Sequence, residues 1–187
     1  MLESLLTLLM TFLGACPADM APAGWTCVDR YEAPNIEGAL PMAMQSAEDG
    51  VKWCRERGKR LCTETEWETA CRASSGPCNN DKQWRPWNRK TVDQPSEIAR
   101  LWQGVASGLY PECRTPSGIF DLRGNVEEWV VSKPAGPRVK ARDWPYALKG
   151  GWWSKITACH KVNDTHEPSF RFYETGFRCC KDFVPFV

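Results

Sequence analysis

The sequence carries almost no excess charge of either sign: 24 Lys and Arg stand against 23 Asp and Glu, a net +1. The positive field with which a nucleic-acid binder gathers its target is therefore missing, and no nucleic-acid partner is expected. Internal repeats and low-complexity tracts are absent, which excludes solenoids and arrays. No apolar run reaches the ~20 residues that span a bilayer. Histidine is scarce; His160 and His166 are the only two, and two ligands do not make an iron site. Nor do any cysteines follow the close paired spacing of a structural zinc site. With 187 residues and a hydrophobic content of 42%, what remains is a single folded domain able to bury its own core.

Cysteine is what the chain has in quantity: ten residues, at 16, 27, 54, 62, 71, 78, 113, 159, 179 and 180. An even number without zinc spacing suggests up to five disulfides and an oxidising compartment. Residues 5–13 form an apolar run of export-signal length, so residues 1–15 read as a signal peptide or lipoprotein signal and residues 16–187 as one domain. Residues 1–4 hold no Lys or Arg, which a start codon placed too far downstream would explain. Leu13-Gly14-Ala15-Cys16 has the form of a lipobox, in which Cys16 is lipidated. Pairing Cys16 with Cys27 instead leaves no odd thiol, and both readings stay open. The expected location is extracytoplasmic: bacterial periplasm, cell surface or secreted, with membrane contact only through an anchor at Cys16.

Residues 25–31 alternate imperfectly between apolar and polar and predict an early strand. Ser46 offers an N-cap with Glu48 and Asp49 in the first turn, Val51 and Cys54 share an inner face, and Gly58 suits a stop. Thr63 and Glu66 have the spacing of a capping box, placing Trp67, Ala70 and Cys71 on one core-facing side of a second helix. Residues 72–118, rich in Pro, Gly, Asn and Ser, predict sparse regular structure held by a Cys78–Cys113 bridge. Strands are expected near residues 118–122, 129–132, 148–153 and 176–180. The fold class is α+β with two helices, short twisted strands and much coil.

Four segments together resemble the formylglycine-generating enzyme (sulfatase-modifying factor) family. They are Gly58-Lys59-Arg60-Leu61 followed by Thr63-Glu64 and Glu66-Trp67-Glu68; Gly124-Asn125-Val126-Glu127-Glu128-Trp129; Lys149-Gly150-Gly151-Trp152-Trp153; and Gly176-Phe177-Arg178. Their order over residues 27–182 covers nearly the whole domain, although Cys62 stands where the family usually has proline. The resemblance implies a C-type-lectin-like fold and the bridges Cys54–Cys179 and Cys71–Cys159. On that basis Cys62 and Cys180 form an extra pair, leaving Cys16–Cys27 and Cys78–Cys113.

The resemblance also implies where chemistry departs from the enzyme. Members that make formylglycine carry a copper-binding cysteine pair shortly after the Gly-Gly motif, whereas residues 154–160 here hold only Cys159. One cysteine cannot supply both soft ligands, so neither copper nor formylglycine generation is expected. Cys159 and His160 as nucleophile and base are disfavoured, because neighbours on a strand face opposite ways. A structural calcium is implied, on the Asp121 side chain, the Gly124 and Val126 carbonyls and the Glu128 side chain, a set suited to a hard cation. A second family calcium site would fall at Arg100 and Leu101, where Arg100 replaces a ligand.

Trp152 and Trp153 could line a groove, but large aromatics are more often core. His160 and His166 read as solvated loop residues, the basic run at residues 138–142 as a solvated loop, and Arg171 and Arg178 as partners of carboxylates. The reading is a calcium-stabilised module that binds a peptide, protein or glycan. An alternative is an oxidoreductase forming formylglycine through an altered thiol at Cys62, Cys159 or Cys180. A further alternative is a diversified ligand-binding protein of the same fold, variable over residues 152–175.

Overall fold

The computed structural model describes residues 16–76, 85–86, 88, 90, 93–133 and 144–183. The expected export signal, the basic run at 138–142 and Cys78, with its expected partnership to Cys113, lie outside them.

Both predicted helices start at reciprocal caps. In α1 (Ala47–Glu56) the Ser46 hydroxyl accepts from the Asp49 amide at 3.1 Å, while the Asp49 carboxylate accepts from the Ser46 amide at 2.9 Å. Thr63 and Glu66 do the same for α2 (Glu64–Arg72). Each box satisfies amides that a helix start leaves unpaired. Past α1, Gly58 takes φ +64°, a left-handed conformation suited to glycine. Trp67, Ala70 and Cys71 all turn inward as expected.

A third helix, α3 (Gln94–Leu101), adds to the two expected and lies within the stretch expected to hold sparse regular structure. Asp93 caps it, Pro95 sits in its first turn, and Leu101 is buried beside Trp153 and Tyr173. A strand does not form over residues 118–122; a single bridge joins Phe120 to Arg114. The reason is local: the Phe120 amide donates to Arg30 and the Asp121 amide to Cys113, so successive amides leave in different directions.

Strands β1 (Met20–Ala23), β2 (Thr26–Asp29), β3 (Arg60–Leu61) and β9 (Cys179–Asp182) form one sheet in the order β1-β2-β9-β3, each pairing antiparallel. In a second sheet, β4 (Glu127–Val131) lies between β5 (Tyr146–Lys149), antiparallel, and β8 (Thr175–Phe177), parallel. The Val131 amide donates to the Cys62 carbonyl at 2.9 Å and joins the two sheets. A small hairpin, β6 (Gly151–Trp152) and β7 (Lys155–Ile156), projects beyond β5.

Four disulfides lace this frame: Cys16–Cys27, Cys54–Cys179, Cys62–Cys180 and Cys71–Cys159. Cys179 and Cys180 are neighbours on β9, so they face opposite ways. Cys179 reaches α1 in the core around Leu61, Trp129 and Phe177, and Cys180 reaches Cys62 in the core around Trp67 and Val130. Cys16, open to two readings in the sequence, is bonded to Cys27.

Candidate functional site

Strand β4 separates two unlike sites, because its residues alternate between faces. Glu128 turns to one side and accepts from Arg178 at 2.6 and 2.7 Å and from the Trp67 indole at 2.8 Å. Arg178 is fully buried and also donates to the Asp29 and Phe120 carbonyls, as its expected role as a carboxylate partner requires. Glu32 and Asp121 complete the cluster, so three buried carboxyls face one buried cation. Burial, then the charges of Asp121 and Glu128, push Glu32 well above the usual carboxylate range. Burial lifts Asp121 to about 6.

This is where the predicted calcium ligands lie. Asp121 stands at φ +58° with Oδ2 accepting from the Gly108 amide at 2.6 Å, while its buried Oδ1 has no partner. Asn125 holds the loop by bonding both Val105 backbone groups and Glu32. Among the described residues no three His, Cys, Asp or Glu side chains are grouped as a metal cluster. Of the predicted set, Asp121 offers one unpaired oxygen, while both Glu128 oxygens are already engaged by Arg178 and Trp67. At Arg100, which replaces a ligand of the family's second calcium site, the guanidinium pairs with Glu97.

On the other face of β4, Glu127 points into a cleft of about 720 Å³. The Lys149-Gly150-Gly151-Trp152-Trp153 segment builds its edge. Gly150 and Gly151 take φ +87° and +72°, and a Cβ on Gly151 would lie 1.9 Å from the Lys155 carbonyl oxygen. Only glycine permits the hairpin to fold this closely. Lys149, fully buried, is anchored by Glu68 at 2.8 Å. Trp153 is core, against Trp102 and Tyr173, while half-buried Trp152 lines the cleft, so the two tryptophans divide between the two expected roles.

The opposite wall is the long connection from β7 to β8. It is pinned to β5 by reciprocal Leu148–Asn163 backbone hydrogen bonds of 2.8 and 3.0 Å and to α2 by Cys71–Cys159. Cys159 and His160 lie in a turn rather than on a strand, and His160 is exposed. His166 is not a solvated loop residue: it is partly buried, stacks on Phe170 with ring centroids 3.8 Å apart, and lines the cleft. Burial lowers its pKa.

Two carboxyls lie at the cleft wall. The Glu127 amide donates to the Glu174 carbonyl at 2.7 Å, bringing the two residues side by side. Glu127 accepts from the Asn163 amide group at 3.4 Å, and the buried Glu174 Oε2 has no partner. Burial lifts Glu127 to about 7; burial, with the charge of Glu127 added, lifts Glu174 to about 8. Sequence reasoning missed both. The adjacency of Glu127 to Glu128 on a strand was a usable signal for opposite faces; nothing local marked Glu174.

Among the described residues no cysteine is free: Cys62, Cys159 and Cys180 each sit in a disulfide. No helix of the described residues is long and apolar enough to cross a membrane.

The model of the Sulfatase-modifying factor enzyme 1-like domain matches residues 19–183. The formylglycine-generating enzyme of Mus musculus is 28% identical over 176 residues, covering 78% of this chain and 45% of that protein. The inactive C-alpha-formylglycine-generating enzyme 2 of Mus musculus is 32% identical over 163 residues, covering 75% and 48%. The chain thus spans about half the length of these curated relatives. Among solved structures, the Major Tropism Determinant U1 Variant superposes with a TM-score of 0.59 at 16% identity, over 95% of this chain and 56% of that one. At that identity the likeness is one of fold, and the fold is C-type-lectin-like, as expected.

Proposed function

The chain belongs to the family of Sulfatase-modifying factor enzyme 1-like domains, and on that premise we propose that it is an exported, calcium-stabilised binding module that takes its ligand into the cleft beside Trp152. One observation carries this reading. The only sulfur in the stretch after the Gly-Gly motif, that of Cys159, is bonded to Cys71, and beside it lies an open cleft walled by aromatic rings and carboxyls. Formylglycine chemistry needs a reactive thiolate, and a disulfide sulfur is not one. Four disulfides support an extracytoplasmic location, and a Cys16 sulfur bonded to Cys27 supports export without a lipid anchor there. The likeness to a protein whose name describes it as inactive points the same way.

Calcium would be held by Asp121, the Gly124 and Val126 carbonyls and Glu128, supplying the positive charge that the buried carboxyls lack. It would order the turn before β4 and so the strand that carries Glu127.

Alkylation of the native protein followed by non-reducing peptide mapping tests the reading, together with an aldehyde assay on a sulfatase-type cysteine peptide with copper under air. The expected result is no labelled thiol and no aldehyde. A labelled Cys159 or formed aldehyde would overturn it. Melting in calcium against chelator checks the ion, with a higher Tm expected in calcium.

A further inference from the structure

The cleft wall holds two buried carboxyls that no lysine or arginine of the described residues pairs with directly. Glu64, Glu68, Glu97 and Glu128 are also buried, and each has a lysine or arginine nitrogen within 4 Å. Among the described residues Glu127 and Glu174 have none, as Glu32 and Asp121 have none in the closed core, and Glu174 Oε2 is buried at the open cleft without a hydrogen bond. A buried carboxylate without a countercharge is costly, and a cation bound at the open cleft would offset that cost. The same cleft is lined by Trp152 and by the stacked His166 and Phe170, π faces that attract cations and pack against methylenes. The chain already places one ammonium there: Lys155 Nζ lies 5.5 Å from the Trp152 ring centroid. Lys155 and Lys161 are the cleft's other charged side chains.

We propose that this cleft recognises an organic cation carried on an apolar stem, of the kind presented by a lysine or arginine side chain of a peptide or by a free polyamine. The head pairs with Glu127 and Glu174, and the stem lies along Trp152 and Phe170. Lys155 competes for the aromatic face. The proposal rests on the binding reading above and names its ligand class.

Isothermal titration of the oxidised full chain at pH 8.5 tests it, with three probes: acetyl-Ala-Lys-Ala-amide, the same tripeptide with norleucine for lysine, and spermidine. The lysine peptide or spermidine binds at least tenfold tighter than the norleucine peptide, and whichever of the two binds more tightly identifies the source of the cation. E174Q and E127Q each weaken that binding at least tenfold while still melting in one cooperative transition no lower than the parent's, and K155M strengthens it at least twofold. Absence of binding by both cations, equal binding of the norleucine peptide, or unchanged affinity in folded E174Q overturns the proposal. A neutral ligand found in the cleft and lost in W152A would overturn it while leaving the binding reading intact, whereas aldehyde formation would remove that reading.

Discussion

Glu127 and Glu128 are adjacent in sequence and opposite in circumstance. Glu128 lies on the stapled side of β4, where most buried charges have an ion-pair partner: Arg178 for Glu128, Lys149 for Glu68, Lys59 for Asp29, Arg60 for Glu66, with Glu32 and Asp121 the exceptions at the expected calcium site. Three of the four disulfides between described residues tie that side, through Cys27, Cys179 and Cys180 of the larger sheet. Glu127 faces the cleft, whose far wall is a connection with one disulfide and one bridge to β5. Of the buried polar side-chain atoms without partners, Trp152 Nε1, Ser154 Oγ and Glu174 Oε2 belong to this side. The contrast separates a frame, whose charges are mostly paired internally outside the Glu32–Asp121 cluster, from a cleft wall whose carboxyls lack a cation among the described residues.

The comparison breaks most visibly at Arg178. R178M leaves Glu128 buried beside Glu32 and Asp121 without its cation, and is expected to cost about 3–5 kcal/mol in urea unfolding. A loss below about 1 kcal/mol would mean that the stapled side does not depend on the pair. Removing Cys71–Cys159 as a double serine variant should cost about 2–4 kcal/mol. Its damage should also be local, with limited proteolysis cutting within residues 157–174 before the protein unfolds globally.

The cleft side answers differently. Glu174 titrates near 8 in the fold against an ordinary value of 4.5. Its stabilising contribution is therefore complete below pH 4.5 and lost as pH rises through 8. E174Q cannot ionise, so thermal melts should show it more stable than the parent at pH 8.5 by at least about 1 kcal/mol, with little difference at pH 4.5. The smallest effect sharpens the frame: T63A removes the α2 cap and should cost about 1 kcal/mol with cleft binding unchanged.

Much of the frame was legible locally. The Ser46 and Thr63 caps, the Gly58 stop and the inward face of Trp67, Ala70 and Cys71 depend on residues within a turn or two, and all appear. The third helix had its own signal in Asp93 and Pro95, outweighed by the composition around it. The disulfide partners came from family resemblance; spacing alone leaves ten cysteines with many possible connections. The cleft was not legible, because Trp152, His166 and Glu174 meet Glu127 only after the β4–β8 and β4–β5 pairings form.

The sequence by itself determined the first two helices and the family of the fold, since these follow from caps and motifs that act within a few residues. Tertiary structure alone decided which glutamates would be paired. Glu128 meets an arginine fifty residues away, and Glu127, one position earlier, meets Glu174 instead. The alternation of a strand sets which face each residue takes, and only the assembled neighbours of that face decide whether a charge is neutralised or left open.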